Sequence, residues 1–187
     1  MRTFRKFGIA AVLAFCVFGA AQASASTFTA SATGSLSGEA TTTQTFTTDA
    51  GQIKCTTVEV TGTISSVATE SQTETLTFKN CTAFGFVSVD FPPLQFQVTS
   101  NGTAHITNTV TIVVTGAACH KTYASQTSLG TVTFTNVAGG KTIAHYNLTG
   151  ITYTGTGGVC GTFGTNGTYS GSQQIGRVGG GSVSRDP

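Results

Sequence analysis

The stretch 94-LQFQVTSNGTAHITNTVTIVV-114 alternates apolar and polar residues on both sides of a Ser-Asn-Gly segment. Alternation with a period of two is typical of half-buried β-strands, and Asn-Gly between two such runs favours a hairpin. A two-residue turn at 101–102 would mix the two faces, whereas a three-residue loop at 100–102 keeps them apart. The sequence therefore predicts the second register, which pairs Val98 with Ala104 and Phe96 with Ile106.

This register sorts the second strand of the hairpin into an inner and an outer row of side chains. The inner row is apolar and consists of Ala104, Ile106, Val110, Ile112 and Val114. His105 falls on the outer row among threonines, so it is predicted to face solvent. In 143-IAHYNLTGITY-153 the apolar phase slips near Gly150, as a β-bulge would cause, and His145 again falls on the polar side.

Similar alternation recurs along the chain, and no long segment repeats apolar residues at helical spacing. The clearest segments are TETLTFK (73–79), TVTFT (131–135) and HYNLT (145–149). Threonine, with 38 of the 187 residues, is β-branched and polar and suits the solvated face of a strand. We therefore predict an all-β fold, a single antiparallel β-sandwich or Greek-key barrel of about nine to twelve short strands with two disulfides.

The N-terminal residues have the three parts of an export signal. A positive start, MRTFRK, precedes the apolar run GIAAVLAFCVFGA, and AQASAS then offers small residues suited to cleavage. The apolar run is too short to span a bilayer, and no second one follows. We predict a signal peptide at 1–25, a β domain at 26–175 and a flexible Gly/Ser tail at 176–187. The protein is expected to be secreted, extracellular or at the cell surface, with no membrane span.

Four cysteines follow the predicted signal peptide: Cys55, Cys81, Cys119 and Cys160. An even number in an oxidising compartment indicates two disulfides, and the sequence allows three pairings. We favour Cys55 with Cys81 and Cys119 with Cys160, because each bridge then closes a modest loop. Cys119 directly precedes His120, but neighbours on a strand point to opposite faces. The two are therefore not predicted to act as nucleophile and base.

Charge and motifs argue against several classes of protein. The chain after residue 25 keeps six of the nine basic residues and all seven acidic ones, a net charge of −1, so nucleic acid is not an expected partner. It has no closely spaced Cys or His pair for zinc and no G-x-S-x-G elbow. Glu70 and Glu74 lie in ATESQTET, which we interpret as an exposed polar connection. We therefore predict no catalytic residue, no cofactor and no metal site.

Two segments are candidates for contact with a partner. CTAFGFVSVDFPPLQF (81–96) is rich in phenylalanine, and Phe84, Phe86 and Phe91 form either a ligand patch or part of the core. The Thr-rich arm 26–48 carries only one charge and lacks the lysines and prolines that protect a sheet edge. It is predicted to form either an ordinary first hairpin or an edge strand that pairs with a second copy or another surface protein.

Several pieces resemble a known group of proteins: AGQIKCTTVEVTGT, CTAFGF, GAAC, TGITYT and NGTYSGS. Together they cover most of the chain after the signal and are similar to uncharacterised exported β-proteins of actinobacteria. More loosely, the signal, the Thr-rich strands and the paired cysteines resemble exported proteins named as activators of alkane oxidation. The resemblance implies an exported, disulfide-bonded β-protein and supplies no catalytic residues. Such relatives often carry an additional cysteine near FPPLQFQ, which implies that the bridge pattern can differ.

Three classes of function follow from these observations. The first is a non-enzymatic secreted or cell-surface structural or adhesion component, favoured by the low charge and the hydroxyl-rich surface. The alternative is a secreted binding module that takes an apolar ligand or a glycan into a Phe-lined groove. The third is a secreted hydrolase without a recognisable motif. Exposure of the three candidate phenylalanines on one surface would favour the binding module.

Overall fold

The computed structural model describes residues 26–157 and 163–186, which form sixteen β-strands and no helix. The strands are β1 (Thr27–Ala30), β2 (Gly34–Ala40), β3 (Gln44–Thr48), β4 (Gly51–Ile64), β5 (Ala68–Thr69), β6 (Ser71–Ala83), β7 (Val87–Asp90), β8 (Leu94–Thr99), β9 (Ala104–Ile106), β10 (Val110–Val114), β11 (Cys119–Tyr123), β12 (Gln126–Leu129), β13 (Thr131–Val137), β14 (Lys141–Thr156), β15 (Phe163–Arg177) and β16 (Val183–Asp186). The predicted all-β antiparallel fold is confirmed. The predicted signal peptide at 1–25, Cys160 and Pro187 lie outside the described residues.

Eight of the strands form a closed circuit of hydrogen-bonded pairs. The order around it is β3, β4, β6, β7, β10, β11, β14 and β15, and β15 pairs with β3 again. The sheet is therefore closed into a barrel at this level. The turns between β3 and β4, β6 and β7, and β10 and β11 lie side by side, since Ile53 is opposite Ala83 and Val89 is opposite Val114. We call this end of the barrel the turn end.

The opposite end is covered by a small sheet in which β1 lies between β5 and β16. Phe28 of β1 is buried there, and its ring meets that of Phe134 edge-on at 5.0 Å. Arg185 of β16 donates hydrogen bonds to the Ser100 carbonyl at 3.1 Å and to the Ser26 hydroxyl at 2.8 Å. The first and last described parts of the chain therefore lie together at the end of the barrel opposite the turn end.

The strand pairing corrects the edge-strand prediction for the arm 26–48. Like β1, the other two strands of the arm each lie between two neighbours. β2 lies between β15 and β4, and β3 lies between β4 and β15. The backbone groups of all three strands are thus engaged on both sides. The arm lacks edge-protecting charges because it is not an edge.

The pairing also corrects the prediction of a flexible tail at 176–187. Gly176 and Arg177 complete β15, and Val183–Asp186 pairs with β1. The three glycines between these strands, residues 179–181, all have φ between +81° and +94°, so they supply the left-handed conformations of a turn. Composition alone does not separate a glycine turn from a glycine linker.

The predicted hairpin register is confirmed, with Val98 opposite Ala104 and Phe96 opposite Ile106. The register shift after Leu148 is also present, and Gly150 has φ +71°. The inner rows meet in an aromatic cluster whose neighbouring ring centroids lie 4.4 to 6.2 Å apart. The cluster consists of Phe46, Phe78, Phe91, Phe96, Tyr123, Tyr146, Tyr153 and Tyr169. Side chains of this size give a small barrel a filled core.

Glycines inside β15 make room for the large interior side chains. A Cβ on Gly171 would lie 1.9 Å from Gln44 Oε1, and one on Gly164 would lie 2.2 Å from the Tyr153 ring. The sequence predicts short strands, and the run GTGGVCGTFGTNG (155–167) is rich in glycine. Instead, β14 and β15 continue into that run from either side, which explains why the strands are longer than predicted.

Side-chain amides extend the hydrogen bonding where a strand lacks a neighbour. Gln126 accepts from the Thr152 N–H at 2.7 Å and donates to the Thr152 carbonyl at 2.8 Å. Asn136 pairs with both backbone groups of Arg185 in the same way, at 2.9 and 3.0 Å. Asn108 binds the Gln95 N–H and the Pro93 carbonyl. Each amide thus satisfies a donor and an acceptor that the ladder leaves unpaired.

One disulfide, Cys55–Cys81, is found among the described residues, and it joins β4 to β6 as predicted. Cys119 is buried at the start of β11. The predicted bridge from Cys119 to Cys160 cannot be placed on the described chain, because Cys160 lies outside it.

Replacing Gly171 with Ala tests whether the glycines of β15 are required by interior packing. The methyl group must displace Gln44 and break its hydrogen bonds to Tyr169 and to two backbone carbonyls. We expect the free energy of unfolding in urea to fall by about 2 kcal/mol or more. Gly176→Ala is the matched control, because its Cβ would meet only the flexible Lys141 side chain, at 3.1 Å. Equal losses in both variants would contradict this explanation.

Candidate functional site

The turn between β6 and β7 is built from Phe84, Gly85 and Phe86. The Phe86 N–H donates to the Ala83 carbonyl at 3.2 Å, and Phe84 and Gly85 have φ of +54° and +84°. Positive φ at both central positions is the hallmark of a type I′ hairpin turn. We call residues 84–86 the phenylalanine turn.

Phenylalanine is an unfavourable choice at this position on two counts. The first central position of a type I′ turn favours Asn, Asp or Gly, and a bulky residue at positive φ is an outlier. Phe84 and Phe86 are also 47% and 81% exposed, so neither ring is needed to fill the core. Backbone strain together with exposed apolar surface is typical of a site kept for contact with something else.

Phe91 does not belong to this surface. It is 5% exposed, and its ring lies 4.4 Å from that of Phe78 and 4.7 Å from that of Phe46. The three candidate phenylalanines thus divide: the core alternative is confirmed for Phe91, and the patch alternative applies only to the exposed Phe84 and Phe86. Phe91 follows the short strand β7 and continues its alternation, so its side chain is on the same face of the sheet as that of Val89. This face is the inner one, which explains why Phe91 is in the core.

A narrow slot lies beneath the Phe84 ring at the turn end. Ile53, Ala83, Val114 and the start of β11 contribute to its walls. Its volume of about 20 Å³ is enough for one water molecule. As it stands the slot does not hold a drug-sized ligand or a sugar ring.

An ion pair between a buried lysine and a partly exposed aspartate lies beside the phenylalanine turn. The Lys121 side chain is 3% exposed, with Nζ 3.4 Å from Asp49 Oδ1 and 4.1 Å from the centre of the Tyr153 ring. The Tyr153 hydroxyl donates to Asp49 Oδ1 at 2.6 Å and lowers the pKa of Asp49, while burial lowers the pKa of Lys121. The pair ties the β3–β4 turn to β11 and β14, and each charge is offset by the other.

The described turns at the turn end otherwise carry no charge. Asp49 and Ala50 join β3 to β4, the phenylalanine turn joins β6 to β7, and 115-TGAA-118 joins β10 to β11. Apart from Asp49, the residues on the turns beside the two exposed rings are therefore small and neutral. This surface differs from a basic or acidic binding site.

Glu74 is a buried carboxyl group, which corrects its predicted place in an exposed connection. It is fully buried inside the barrel on β6, accepting a hydrogen bond from the Tyr146 hydroxyl at 2.8 Å and another from Gln72. Burial raises the pKa of Glu74 to about 7, although both hydrogen bonds oppose the shift. The signal was present in the sequence, because Glu74 has the same parity as the core residues Leu76 and Phe78.

A second group of buried polar side chains lies on β3 and β15. Tyr169 donates to Gln44 Oε1 at 2.6 Å and accepts from Gln173 at 2.8 Å. Within residues 26–157 and 163–186, Gln72 Oε1 and Gln173 Oε1 are buried without a hydrogen-bond partner. These groups line a packed interior rather than an open cleft, so they do not form a site that a substrate in solution could reach.

The three histidines lie on the outer side of the barrel and do not form a metal site. His105 accepts from the Ser128 N–H at 3.1 Å, and His120 is exposed. His145 contacts the Ser172 hydroxyl at 2.9 Å through Nδ1 and a threonine hydroxyl through Nε2. In a Ser-His-Asp triad the serine would contact Nε2 and a carboxylate would accept a hydrogen bond from Nδ1, so neither nitrogen of His145 has the partner that a triad requires. In the described part of the chain, no group of three or more His, Cys, Asp or Glu is placed to hold a metal ion.

No known protein family, curated protein or solved structure matches the chain. The described residues contain no helix long and apolar enough to cross a bilayer. The disulfide is consistent with an extracellular protein. The phenylalanine turn is therefore the candidate site on geometric grounds alone.

Glu74 makes the stability of the barrel depend on pH. Because its pKa is about 7 in the folded state and 4.5 in the reference state, the folded protein binds the proton more tightly than the unfolded chain. The resulting stabilisation is complete below pH 4.5 and is lost as the pH rises to 7, a change on the order of 3 kcal/mol. Urea unfolding from pH 4 to 8 should show this decline, and Glu74→Gln should remove it. Glu70→Gln, at an exposed position, is the control and should keep the decline.

Proposed function

We propose that this protein is a non-enzymatic, secreted or cell-surface adhesion component that attaches to another surface through the phenylalanine turn. The observation that carries the proposal is the pair of exposed rings on a turn whose first residue is conformationally strained. Folding alone would favour Asn-Gly at this position. Phe84 and Phe86 lower the stability of the free protein. Their rings contribute favourably only when a partner surface covers them and removes them from water.

The construction of the barrel supports this role. The circuit of strands is closed, the core is filled with aromatic rings, and Cys55–Cys81 cross-links two neighbouring strands. A rigid scaffold presents a contact residue with little loss of conformational entropy on binding. The ion pair of Lys121 and Asp49 holds the neighbouring turn in place beside the contact rings.

The alternative, a binding module for an apolar ligand or glycan, has weaker support. A Phe-lined groove would need Phe91 beside Phe84 and Phe86, and Phe91 lies in the core. The slot under Phe84 is also too small for either ligand. Two projecting rings suit contact with a surface better than enclosure of a small molecule.

Phe84→Asn tests the proposal because stability and attachment should change in opposite directions. Asn adopts positive φ more readily than Phe, so we expect the free energy of unfolding to rise by about 1 kcal/mol. Attachment of the labelled protein to envelopes of the producing cells should fall, and Phe86→Thr should weaken it further. Bound label after sedimentation measures attachment.

Val178→Thr is the matched control, because Val178 is 55% exposed and follows β15 at the opposite end. It should leave attachment unchanged. The proposal is contradicted if the wild-type protein does not attach, or if the phenylalanine variants attach as well as the wild type.

A further inference from the structure

We propose that the surface recognised by the turn end is a lipid interface with zwitterionic headgroups, into which Phe84 and Phe86 insert. This inference rests on the proposed attachment through the phenylalanine turn and names its partner. Three properties of the turn end carry it: the area of the exposed rings, the charge around them and the shape of the neighbouring turns.

The exposed area is too small for a stable protein interface. At 47% and 81% exposure, the two rings present roughly 250 Å² between them. A specific protein interface needs about 800 Å² from each partner. A second copy of this chain, meeting the first turn to turn, would bury little beyond the same two rings. A lipid interface needs no matching surface, because each ring gains from leaving water independently.

The charge of the turn end favours zwitterionic over anionic lipid. Anionic membranes attract exposed Lys and Arg, each of which adds to the binding. Lys121, which lines the slot with Phe84, is 3% exposed and already paired with Asp49, while the exposed Lys54 lies on the strand β4 opposite Thr82 and not on a turn. The ionisable group on the described turns at this end is the carboxylate of Asp49, which an anionic surface would repel. Neutral headgroups oppose neither this carboxylate nor the rings.

The shape of the neighbouring turns allows the rings to reach the interface. Beside the phenylalanine turn, the β3–β4 turn carries Ala50 and the β10–β11 turn carries Gly116 and Ala117. None of these side chains is long enough to hold a membrane away from a phenylalanine ring. The Phe86 N–H is already bonded to the Ala83 carbonyl, so its insertion leaves that donor satisfied.

The chain contains no tryptophan, so a single introduced tryptophan reports on one position. We would prepare the full-length exported protein with Phe86→Trp and, at the opposite end, with Val178→Trp. Phosphatidylcholine vesicles should shift the emission of the Phe86→Trp variant to shorter wavelength, and brominated acyl chains should quench it. The Val178→Trp variant should show neither effect.

Co-sedimentation with the same vesicles then measures the contribution of each ring. We expect Phe86→Thr to lower the partition coefficient about tenfold or more, and Phe84→Asn to lower it by a smaller factor because Phe84 is less exposed. Adding phosphatidylserine should not strengthen wild-type binding, and raising the salt concentration should not weaken it.

Several outcomes would overturn the inference. One is no vesicle binding, and another is binding only when phosphatidylserine is present. A third is an emission shift of the Phe86→Trp variant that occurs without lipid as protein concentration rises, since this identifies a second copy as the partner. If envelopes still bind the protein through the phenylalanine turn while vesicles do not, the lipid assignment fails and the adhesion proposal survives. If neither envelopes nor vesicles bind the protein through the phenylalanine turn, the lipid assignment and the adhesion proposal are both wrong.

Discussion

Closure of the sheet is the constraint on which the rest of this structure depends. Once β15 pairs with β3, the interior has a fixed volume, and the side chains on the inner rows must fill it without a gap or a clash. Eight aromatic rings occupy that space, and Gly164 and Gly171 on β15 compensate for their bulk by having no side chain. The same closure excludes water from Glu74, which raises the pKa of its carboxyl group.

The two ends of the barrel differ in construction. At one end the described chain termini, β16 and the β5–β1 pairing cover the core with hydrogen bonds and polar side chains. At the other end the chain uses short turns, a single paired carboxylate and two exposed rings. Strain at Phe84 fits this division, because an interaction surface is the place where a stable protein tolerates a locally unfavourable residue.

Local patterns predicted the parts of the fold that depend on neighbouring residues. Alternation determined the 94–114 hairpin, its three-residue loop and its buried row, and loop length favoured the Cys55–Cys81 bridge, which is confirmed. Errors arose wherever a distant strand decided the outcome. For the arm 26–48 the sequence offered an ordinary first hairpin or an edge strand, because its partners β15 and β16 lie at the far end of the sequence. Strand lengths were underestimated in the glycine-rich segments, because the side chains that need the space at these glycines, such as Gln44, come from other strands. Exposure of Phe84 and Phe86 was one of two alternatives that the sequence left open, whereas burial of Phe91 depends on the position of Phe46 on another strand.

The asparagine side chains that bind the backbone of another strand also make the barrel sensitive to deamidation. Asn108 and Asn136 each use an NH₂ donor and a carbonyl acceptor on the backbone of another strand. Deamidation converts such a group into a carboxylate, which only accepts hydrogen bonds, so one backbone carbonyl would lose its donor and face a negative charge. In a protein that is not quickly replaced, deamidation at either asparagine would therefore weaken the contact between strands that its amide supplies.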